Sequence, residues 1–541
     1  MVIGFRRTLS KHSYSVSAMP SFAAIFARKP ISASAKANDT KVREHRCRAL
    51  VIGSGFGGSI AAYRLSQKGI DTVVLERGRR WITSKENDVF ASTRHLDGRA
   101  NWLNGTDLFT YAVPPTGKRP EEPLDKYVGL VEHLHEDGMY VLAPAAVGGG
   151  SLVYNSCLVQ PSEENFYACF PREVDYAQMN SDFYPEVVRM MGAGPIPDDV
   201  LQSKHYHGAR LMNQLAVAAG VPIHRINTAS DWNVIRDEIY GRRRPCAIEG
   251  DIWYGANSGY KNSLDKNYLK HAEDSGYVKV QPLCNVLEIA EKGGKYHVTY
   301  ARIDEHGNEL AREKYISDCL FMGAGSMGTT KLLVKAKHKG GLPNLDDSIG
   351  QMWGNNGDTF GHFSIGSPAG SHEGGPAHLV ATDWKDNPMG PQTCIAYPDH
   401  TLPQDAIQYL GMSIPSEKGY FDYDEASDKV TLHWANANTE QTRERMRLTL
   451  KKFAQSLPDP ERAKQAVASI EVGGGDATAH PCGGVTMGYA ADHFGRVKGY
   501  KGLYVTDAAF IPLGTAACNP ALTTAAFAER SMQEILKTDL A

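Results

Sequence analysis

Cysteine is scarce in this 541-residue sequence, and no pair of cysteines has the spacing of a zinc site or a disulfide framework. There are nine cysteines, an odd number, with no CxxC pair and no histidine at metal-ligand spacing from any of them. Scattered cysteines of this kind are typical of small, buried, apolar side chains. The sequence therefore predicts no metal site and no disulfide-stapled scaffold.

An excess of charge and a long apolar run are also missing. Lys and Arg number 58 against 61 Asp and Glu, so the net charge of -3 creates no field that would gather nucleic acid or anionic lipid. The longest apolar run outside the strand-like stretches, about residues 18–27, is well short of the roughly 20 residues that span a bilayer. We therefore expect no nucleic-acid partner and no transmembrane segment. The hydrophobic content of 42 % is enough for a large soluble core.

Acidic residues are absent from the first 38 positions, where basic residues lie among serines and threonines. This composition predicts a targeting segment or a disordered arm over residues 1–44. Acid-poor, Arg- and Ser-rich segments are typical of organellar transit peptides, which is our first expectation. The pair Arg6-Arg7, followed by a weak apolar stretch and residues 33–35 (Ala-Ser-Ala), would instead suit twin-arginine export. An uncleaved tail on a cytoplasmic protein is the third interpretation.

A strand, a glycine-rich turn and a helix are predicted from residue 48 onward. An apolar run leads into Gly53, Gly55 and Gly58, which have the spacing GxGxxG, and residues with helical periodicity follow. In this motif the first glycine permits a tight turn, the second lets the backbone approach a diphosphate, and the third lets the helix pack closely on the strand. The N-terminus of the helix then faces the phosphates.

A carboxylate at the end of the next predicted strand narrows the choice of nucleotide. The apolar run Thr72–Leu75 is followed directly by Glu76. A carboxylate in this place can hold both ribose hydroxyls and would repel a 2′-phosphate. The expected ligand is therefore FAD or NAD rather than NADP.

Three further segments help to decide whether the cofactor is a flavin or a nicotinamide nucleotide. One is a run of three glycines, residues 148–150, which leaves backbone amides free to approach something flat or anionic. Another, at 320–333, is an apolar strand that runs through small residues into a helix. The last starts at 479–484, continues through an apolar strand that ends at Asp507, and finishes where Pro520 follows Asn519 at the expected start of a helix.

Together these segments resemble the glucose-methanol-choline (GMC) family of FAD oxidoreductases, and within it the cholesterol oxidases that hold FAD without a covalent bond. The likeness runs from about residue 48 to the C-terminus. Its most specific blocks are VGGGSLV at 147–153, YGANSGYKNSLDKNYL at 254–269, GAGSMG at 323–328, LPNL at 342–345, HPxGG at 480–484 and GRVxGYxxLYVTD at 495–507. The resemblance implies an α/β (overall α+β) fold in which a Rossmann-like FAD-binding domain is interleaved with a substrate-capping domain built on an antiparallel sheet.

The resemblance also suggests domain boundaries. The FAD-binding domain is expected at 45–190, 251–345 and 477–541, and the capping domain at 191–250 and 346–476. In the second capping stretch, short strand-like pieces alternate with Gly, Pro and Asp turns, as an antiparallel sheet requires.

Alcohol oxidation by a flavin moves a hydride from the carbinol carbon to flavin N5 while the hydroxyl loses its proton. A histidine can accept that proton at neutral pH, and an amide can donate a hydrogen bond to the oxygen. By resemblance, His480 and Asn519 hold these two catalytic places. The expected cofactor-binding residues are Gly53, Gly55, Gly58, Glu76, Gly149, Gly150, Ser151, Val286, Asp507, Ala508 and Pro520.

One departure from the cholesterol oxidases bears on activity. Those enzymes also isomerise a steroid double bond with a carboxylate, and Cys394 is placed here at the position of that glutamate. Because a neutral thiol is a poor proton shuttle at carbon, steroid isomerase activity is not expected.

The expected function is FAD-dependent oxidation of a hydroxyl group on a bulky hydrophobic alcohol that is sterol-, terpenoid- or polyketide-like. Reoxidation by dioxygen would then give hydrogen peroxide. A dehydrogenase that uses another electron acceptor is one alternative. A flavin-binding protein without alcohol oxidation, in which FAD is structural or serves carrier or light-driven chemistry, is the other.

Overall fold

The computed structural model of this protein describes residues 42–83, 88–103, 125–375, 378–435 and 437–541. Of the predicted targeting segment or arm at 1–44, residues 1–41 lie outside these ranges, and a strand already begins at Arg43. Within them, no helix combines the length and the hydrophobicity needed to cross a bilayer. All nine cysteines are free, and eight of them are buried, as their scattered positions predicted.

Strands and helices follow one another along the chain without regular alternation. The strands are β1 Arg43–Ile52, β2 Thr72–Leu75, β3 Val131–Glu136, β4 Met139–Pro144, β5 Cys157–Leu158, β6 Ile223–Arg225, β7 Asn227–Thr228, β8 Val278–Gln281, β9 Cys284–Lys292, β10 Lys295–Ile303, β11 Glu309–Met322, β12 Thr359–Ser364, β13 Leu379–Asp383, β14 Gln392–Tyr397, β15 Ala406–Ser413, β16 Tyr420–Asp424, β17 Lys429–His433, β18 Glu471–Gly474, β19 Ala477–Thr478 and β20 Leu503–Val505. The helices are α1 Phe56–Gln67, α2 Glu163–Cys169, α3 Tyr176–Gln178, α4 Tyr184–Met190, α5 Asp198–Leu201, α6 His207–Ala218, α7 Trp232–Ile239, α8 Tyr268–Asp274, α9 Gly325–His338, α10 Ala437–Gln455, α11 Pro460–Ala468 and α12 Pro520–Thr538.

A seven-stranded sheet forms the Rossmann-like part of the protein. Its order is β8-β2-β1-β11-β10-β9, and β20 also pairs with β11. Strands β8, β2, β1, β11 and β20 run parallel, whereas β10 is antiparallel to both of its neighbours. The inner strands read as continuous apolar runs because parallel strands are covered on both faces.

The register of the parallel strands brings their carboxyl ends to one edge. Ile52 of β1 lies beside both Leu75 and Met322, and Met322 lies beside Val505. The residues that follow these strand ends therefore leave the sheet together. In open α/β sheets, ligands bind outside this carboxyl edge.

A second sheet of six strands is antiparallel throughout, in the order β18-β12-β15-β14-β13-β6. All of its strands come from segments within the stretches expected for the capping domain; the exact domain boundaries remain a prediction. One face, with Phe360, Ile395 and Leu410, packs against Cys157 and Cys518 of the rest of the protein. The opposite face packs against helices α6 and α10. The predicted fold class, a Rossmann-like domain combined with an antiparallel sheet, is confirmed.

A small sheet lies between these two layers and extends toward the expected catalytic histidine. Strand β4 pairs antiparallel with β3 and parallel with β19, with Thr478 beside Val141. The chain that leaves β19 therefore continues directly to His480.

Candidate active site

Two adjoining cavities lie at the carboxyl edge of the seven-stranded sheet. The first cavity has a volume of about 510 Å³ and is lined by Gly53, Glu76 and Val286 among others. The second cavity, of about 260 Å³, is lined by His480 and Asn519 among others. The residues that line both are Gly55, Leu142, Pro144, Gly150, Gly323, Gly325, Ser326, Ala479 and Pro481.

Glu76 is buried at the end of β2 and presents its carboxylate to the first cavity. Its Oε2 accepts hydrogen bonds from the backbone N and the Oγ of Ser54, at 2.9 and 2.7 Å, and its Oε1 accepts one from the N of Gly78 at 2.8 Å. Burial raises the pKa of Glu76, and these three bonds oppose the rise. A carboxylate can accept about four hydrogen bonds. Glu76 therefore keeps capacity for a ligand hydroxyl, as the ribose prediction requires.

Two helix N-termini meet at the border of the cavities. Helix α1 follows Gly55 and helix α9 follows Ala324, and neither of these residues caps its helix with a side-chain hydrogen bond. The first turn of α1 lines the second cavity, and the first turn of α9 lines both cavities. Free amides and aligned peptide dipoles at such ends favour an anion, and a diphosphate is the usual one.

Where the two cavities join, three glycines leave the backbone without side chains. A Cβ added to Gly55 or Gly150 would come no closer than 3.9 Å to any other atom, and at Gly325 nothing lies within 4 Å. Because these three glycines line both cavities, the open backbone surface is where a diphosphate and a flat ring can approach. Together with Glu76 and the two helix ends, these residues fit FAD.

Most of the predicted cofactor residues border the cavities, but two do not. Gly58 and Ser151 are absent from the lining of both. A Cβ on Gly58 would lie 2.0 Å from the carbonyl oxygen of Gly53, so this glycine is needed for close packing of α1 on the turn. The buried Oγ of Ser151 donates to the Gly148 oxygen at 2.7 Å and accepts from the Leu264 N at 2.9 Å, which fixes the three-glycine loop from behind.

Asp507 and Ala508 connect the end of β20 to helix α9. The Asp507 carboxylate accepts hydrogen bonds from the N of Gly325 at 2.8 Å, the Oγ1 of Thr329 at 2.5 Å and the N of Ala509 at 2.8 Å. Burial raises the pKa of Asp507 to about 6. The three hydrogen bonds engage the Asp507 carboxylate within the protein. Asp507 and Ala508 both border the second cavity.

The second cavity brings the two predicted catalytic residues together. The Nδ1 of His480 donates to Oδ1 of Asp358 at 2.8 Å, while Nε2 has no partner among the described residues. Asn519 occupies the N-cap position of α12, but its side chain makes no capping bond, and its buried Oδ1 has no hydrogen-bond partner in the described part of the chain. A buried amide without a partner is destabilising by about 1–3 kcal/mol, which a bound ligand can offset.

Two residues important to this geometry were missed from the sequence. Asp358 belongs to no recognised motif, and only the folded chain places it against His480. Lys261 is buried, and its Nζ donates to the carbonyl oxygens of Leu152 at 3.1 Å and Ile252 at 2.5 Å. Burial lowers the pKa of Lys261 to about 7. Because the residues after these two carbonyls, Val153 and Trp253, line the second cavity, Lys261 fixes two of its walls relative to each other.

Cys394 does not lie in the active site, so its predicted placement at the position of the isomerising glutamate is wrong. Cys394 lines neither cavity and lies among the residues between the six-stranded sheet and helices α6 and α10, with its Sγ 3.5 Å from the Sδ of Met446. Its strand neighbour Ile395 lies on the opposite face, in the cluster that contacts the rest of the protein. Successive strand residues face opposite ways, so an alignment error of one residue exchanges the two faces. Among the described residues that line the second cavity, the one carboxylate is Asp507.

Comparisons with known proteins agree with this arrangement. Residues 415–528 match the family model described as GMC oxidoreductase, and residues 51–112 match a NAD(P)-binding Rossmann-like domain. The chain is 29 % identical over 320 residues to a cholesterol oxidase of Acinetobacter baumannii, covering 56 % of this chain and 52 % of that protein. It is 26 % identical over 561 residues to a cholesterol oxidase of Mycobacterium tuberculosis, covering 89 % and 90 %.

Solved structures share the fold at lower identity. Pyridoxine 4-oxidase from Mesorbium loti has a TM-score of 0.60 and 16 % identity, with 90 % of this chain and 99 % of that one covered. A fungal aryl-alcohol oxidase has a TM-score of 0.60 and 11 % identity, with 92 % and 99 % covered.

The cavity at the carboxyl edge of the Rossmann-like sheet and the histidine beside it define an oxidoreductase whose cofactor is FAD. Residues 415–528 thus match the GMC oxidoreductase model, and most of the chain is similar to a cholesterol oxidase, so the resemblance predicted from the sequence motifs is confirmed. The roles of the individual residues in binding and catalysis are not tested by these comparisons and remain predictions.

Gly57, at a variable position of the GxGxxG motif, provides a test of the FAD site. A Cβ on Gly57 would lie 2.2 Å from the carbonyl oxygen of Thr506 and 2.7 Å from the N of Asp507, both backbone atoms. Gly57→Ala must therefore push the start of α1 away from the end of β20. Overpacking of this kind destabilises a fold by about 1–3 kcal/mol. Because α1 must move at the border of the cofactor cavity, we expect the FAD dissociation constant to rise, by at most about 150-fold, the equivalent of 3 kcal/mol.

FAD affinity is measured by titrating the apoprotein with FAD and monitoring the quenching of flavin fluorescence on binding. Gly473→Ala is the matched control, because a Cβ there meets nothing within 4 Å. Equal FAD affinity for the two variants would show that contact between α1 and β20 does not shape the cofactor site.

Proposed function

We propose that this protein oxidises a hydroxyl group of a bulky hydrophobic alcohol to a carbonyl group, with FAD bound non-covalently and dioxygen as the final electron acceptor. The observation that carries the proposal is the pairing of His480 and Asn519 in one cavity, next to the bare glycines that fit the flavin. A protein that only stores or carries FAD has no need for an unpartnered imidazole nitrogen and an unpartnered amide in the same cavity.

Each of the two residues has a defined task in this proposal. His480 accepts the hydroxyl proton at Nε2, because its Nδ1 is already bonded to Asp358. The amide of Asn519 holds the substrate oxygen, since it makes no capping bond that would compete. When bound, FAD supplies the acceptor for the hydride that leaves the carbinol carbon.

The walls of the second cavity favour an apolar substrate. Its aliphatic and aromatic lining includes Leu142, Val153, Phe56, Tyr154 and Trp253. Such walls stabilise a bulky hydrocarbon frame mainly by removing apolar surface from water. The two bacterial relatives named cholesterol oxidase support a sterol, and we include terpenoid- and polyketide-like alcohols of similar bulk in the substrate class.

The decisive experiment is anaerobic reduction of the holoprotein by a panel of sterols, terpene alcohols and aryl alcohols, each paired with its ketone or aldehyde as the matched control. We expect at least one bulky apolar alcohol to bleach the flavin absorbance, and its oxidised partner to leave the absorbance unchanged. Readmission of air should restore the colour and release hydrogen peroxide in proportion to the flavin.

Other outcomes identify the alternatives. If dithionite bleaches the flavin and no alcohol does, the protein binds FAD without oxidising alcohols. If an alcohol bleaches the flavin but only a quinone or dye restores it, the protein is a dehydrogenase with another acceptor.

A further inference from the structure

The hydrogen bond between His480 and Asp358 has features that go beyond local packing. Asp358 is fully buried, and the His480 imidazole is the one ionisable group in contact with it within the described ranges. An isolated buried carboxylate is strongly disfavoured unless hydrogen bonds or an opposite charge compensate it. A proton taken up by His480 would provide that opposite charge at a distance of 2.8 Å.

The backbone around Asp358 holds the carboxylate in one place. Its Oδ2 accepts from the Oγ1 of Thr478 at 2.7 Å and from the N of Ala479 at 3.2 Å. The same Thr478 hydroxyl accepts from the N of His480 at 2.8 Å. Aspartate, threonine and histidine thus form one closed set of hydrogen bonds.

This set also joins the six-stranded sheet to the small sheet. Asp358 precedes β12 of the six-stranded sheet, whereas Thr478 ends β19 of the small sheet. Two other hydrogen bonds tie the two segments independently of the carboxylate. The N of Gly475 donates to the backbone carbonyl oxygen of Asp358 at 3.0 Å, and the side-chain Nδ2 of Asn355 donates to the carbonyl oxygen of Gly475 at 3.0 Å. Removing the charge of Asp358 therefore leaves these connections in place.

We propose that Asp358 is a positioning residue for the oxidation: it holds His480 in the tautomer with the proton on Nδ1, so that Nε2 is the acceptor, and it stabilises the imidazolium formed when the hydroxyl proton arrives. This inference rests on the proposed function, because it assigns a proton-accepting role to His480. It adds a residue that no motif in the sequence indicates. The physical principle is electrostatic preorganisation, in which a fixed charge faces the site where the opposite charge develops.

The variant Asp358→Asn tests the proposal. Asparagine keeps the shape but removes the charge, so we expect reduction of the flavin by a substrate alcohol to slow about 10- to 150-fold, the range for loss of a hydrogen bond to a charged group. The substrate dissociation constant should change by less than about threefold, since Asp358 does not line either cavity. Because the fixed charge that faces the imidazole is removed, the acid limb of the pH-rate profile should also move.

Asp476→Asn is the matched control. Asp476 lies two residues before Thr478, and its ion pair with Arg443, at 3.3 Å, is partly exposed. We expect this variant to keep the rate and the pH profile of the original protein, because partly exposed ion pairs contribute little. A merely structural role of Asp358 would lower stability or FAD content without moving the acid limb.

A measurement on the unmodified protein covers the case in which Asp358→Asn does not fold. Nitrogen-15 NMR of histidine-labelled holoprotein, with the His480 signals assigned by comparison with His480→Gln, reports which ring nitrogen carries the proton. We expect the proton on Nδ1 at neutral pH. A proton on Nε2, or an Asp358→Asn variant with unchanged rate and pH profile, overturns the inference. Absence of any alcohol-driven bleaching in the unmodified protein would instead overturn the proposed function, and the NMR result would still decide whether Asp358 fixes the tautomer.

Discussion

Replacing His480 with alanine is expected to slow reduction of the bound flavin by an alcohol by about 10²- to 10⁴-fold, the usual contribution of general acid–base catalysis. The FAD should stay bound, because Glu76, which is predicted to hold the ribose, lines the first cavity, and His480 does not. The affinity for the alcohol should change less than the rate, since most of the cavity wall is apolar and is untouched.

Anaerobic stopped-flow measurement of flavin bleaching gives the rate and the substrate dissociation constant separately. His433→Ala is a close control, because the Nδ1 of His433 bonds to Asp137 Oδ2 at 2.7 Å in the same manner and His433 lines neither cavity. Both variants lose a histidine–aspartate pair, and only one loses the proton acceptor. An unchanged bleaching rate in His480→Ala would remove His480 from the mechanism.

The second large effect is expected from Cys394→Glu, which places a carboxylate in a fully buried position. The thiol lies against Met446, and burial raises its pKa well above the ordinary value. A glutamate there would be both too large and without a positive partner, and the penalty for burying an unpaired ion is several kcal/mol. Since domains are stable by only about 5–15 kcal/mol in total, we expect a marked loss of folded protein.

Chemical denaturation with tryptophan fluorescence measures this loss. Cys394→Val is the control, because an uncharged apolar side chain of similar volume is destabilising by less than about 1.5 kcal/mol.

Neither variant nor the original protein should speed conversion of an authentic 5-en-3-one into the conjugated 4-en-3-one. The reason differs from the one that the sequence suggested: the carboxylate that lines the second cavity, Asp507, already accepts three hydrogen bonds. A folded Cys394→Glu protein with isomerase activity would show that this side chain faces the substrate after all.

The strand–turn–helix at Gly53, the carboxylate at Glu76 and the family resemblance could be predicted from the sequence because each depends on residues that are close together along the chain. The fold class and the cofactor follow from these local signals, since a glycine turn before a helix has one geometry wherever it occurs. The pairing of His480 with Asn519 was also predicted, but only through the resemblance, because 38 residues, which include strand β20, separate them.

The sequence by itself thus determined that this chain has a Rossmann-like FAD site and resembles the GMC oxidoreductases. The tertiary structure decided which groups act on or around that site. Asp358 meets His480, and Lys261 meets the carbonyl oxygen of Leu152, through contacts between segments that are distant in the sequence. The structure also decided that Cys394 faces the helices, because the face of a strand residue depends on a register that one position of error reverses. Local patterns report backbone conformation, whereas the partners of a buried polar side chain are fixed only when the whole chain has packed.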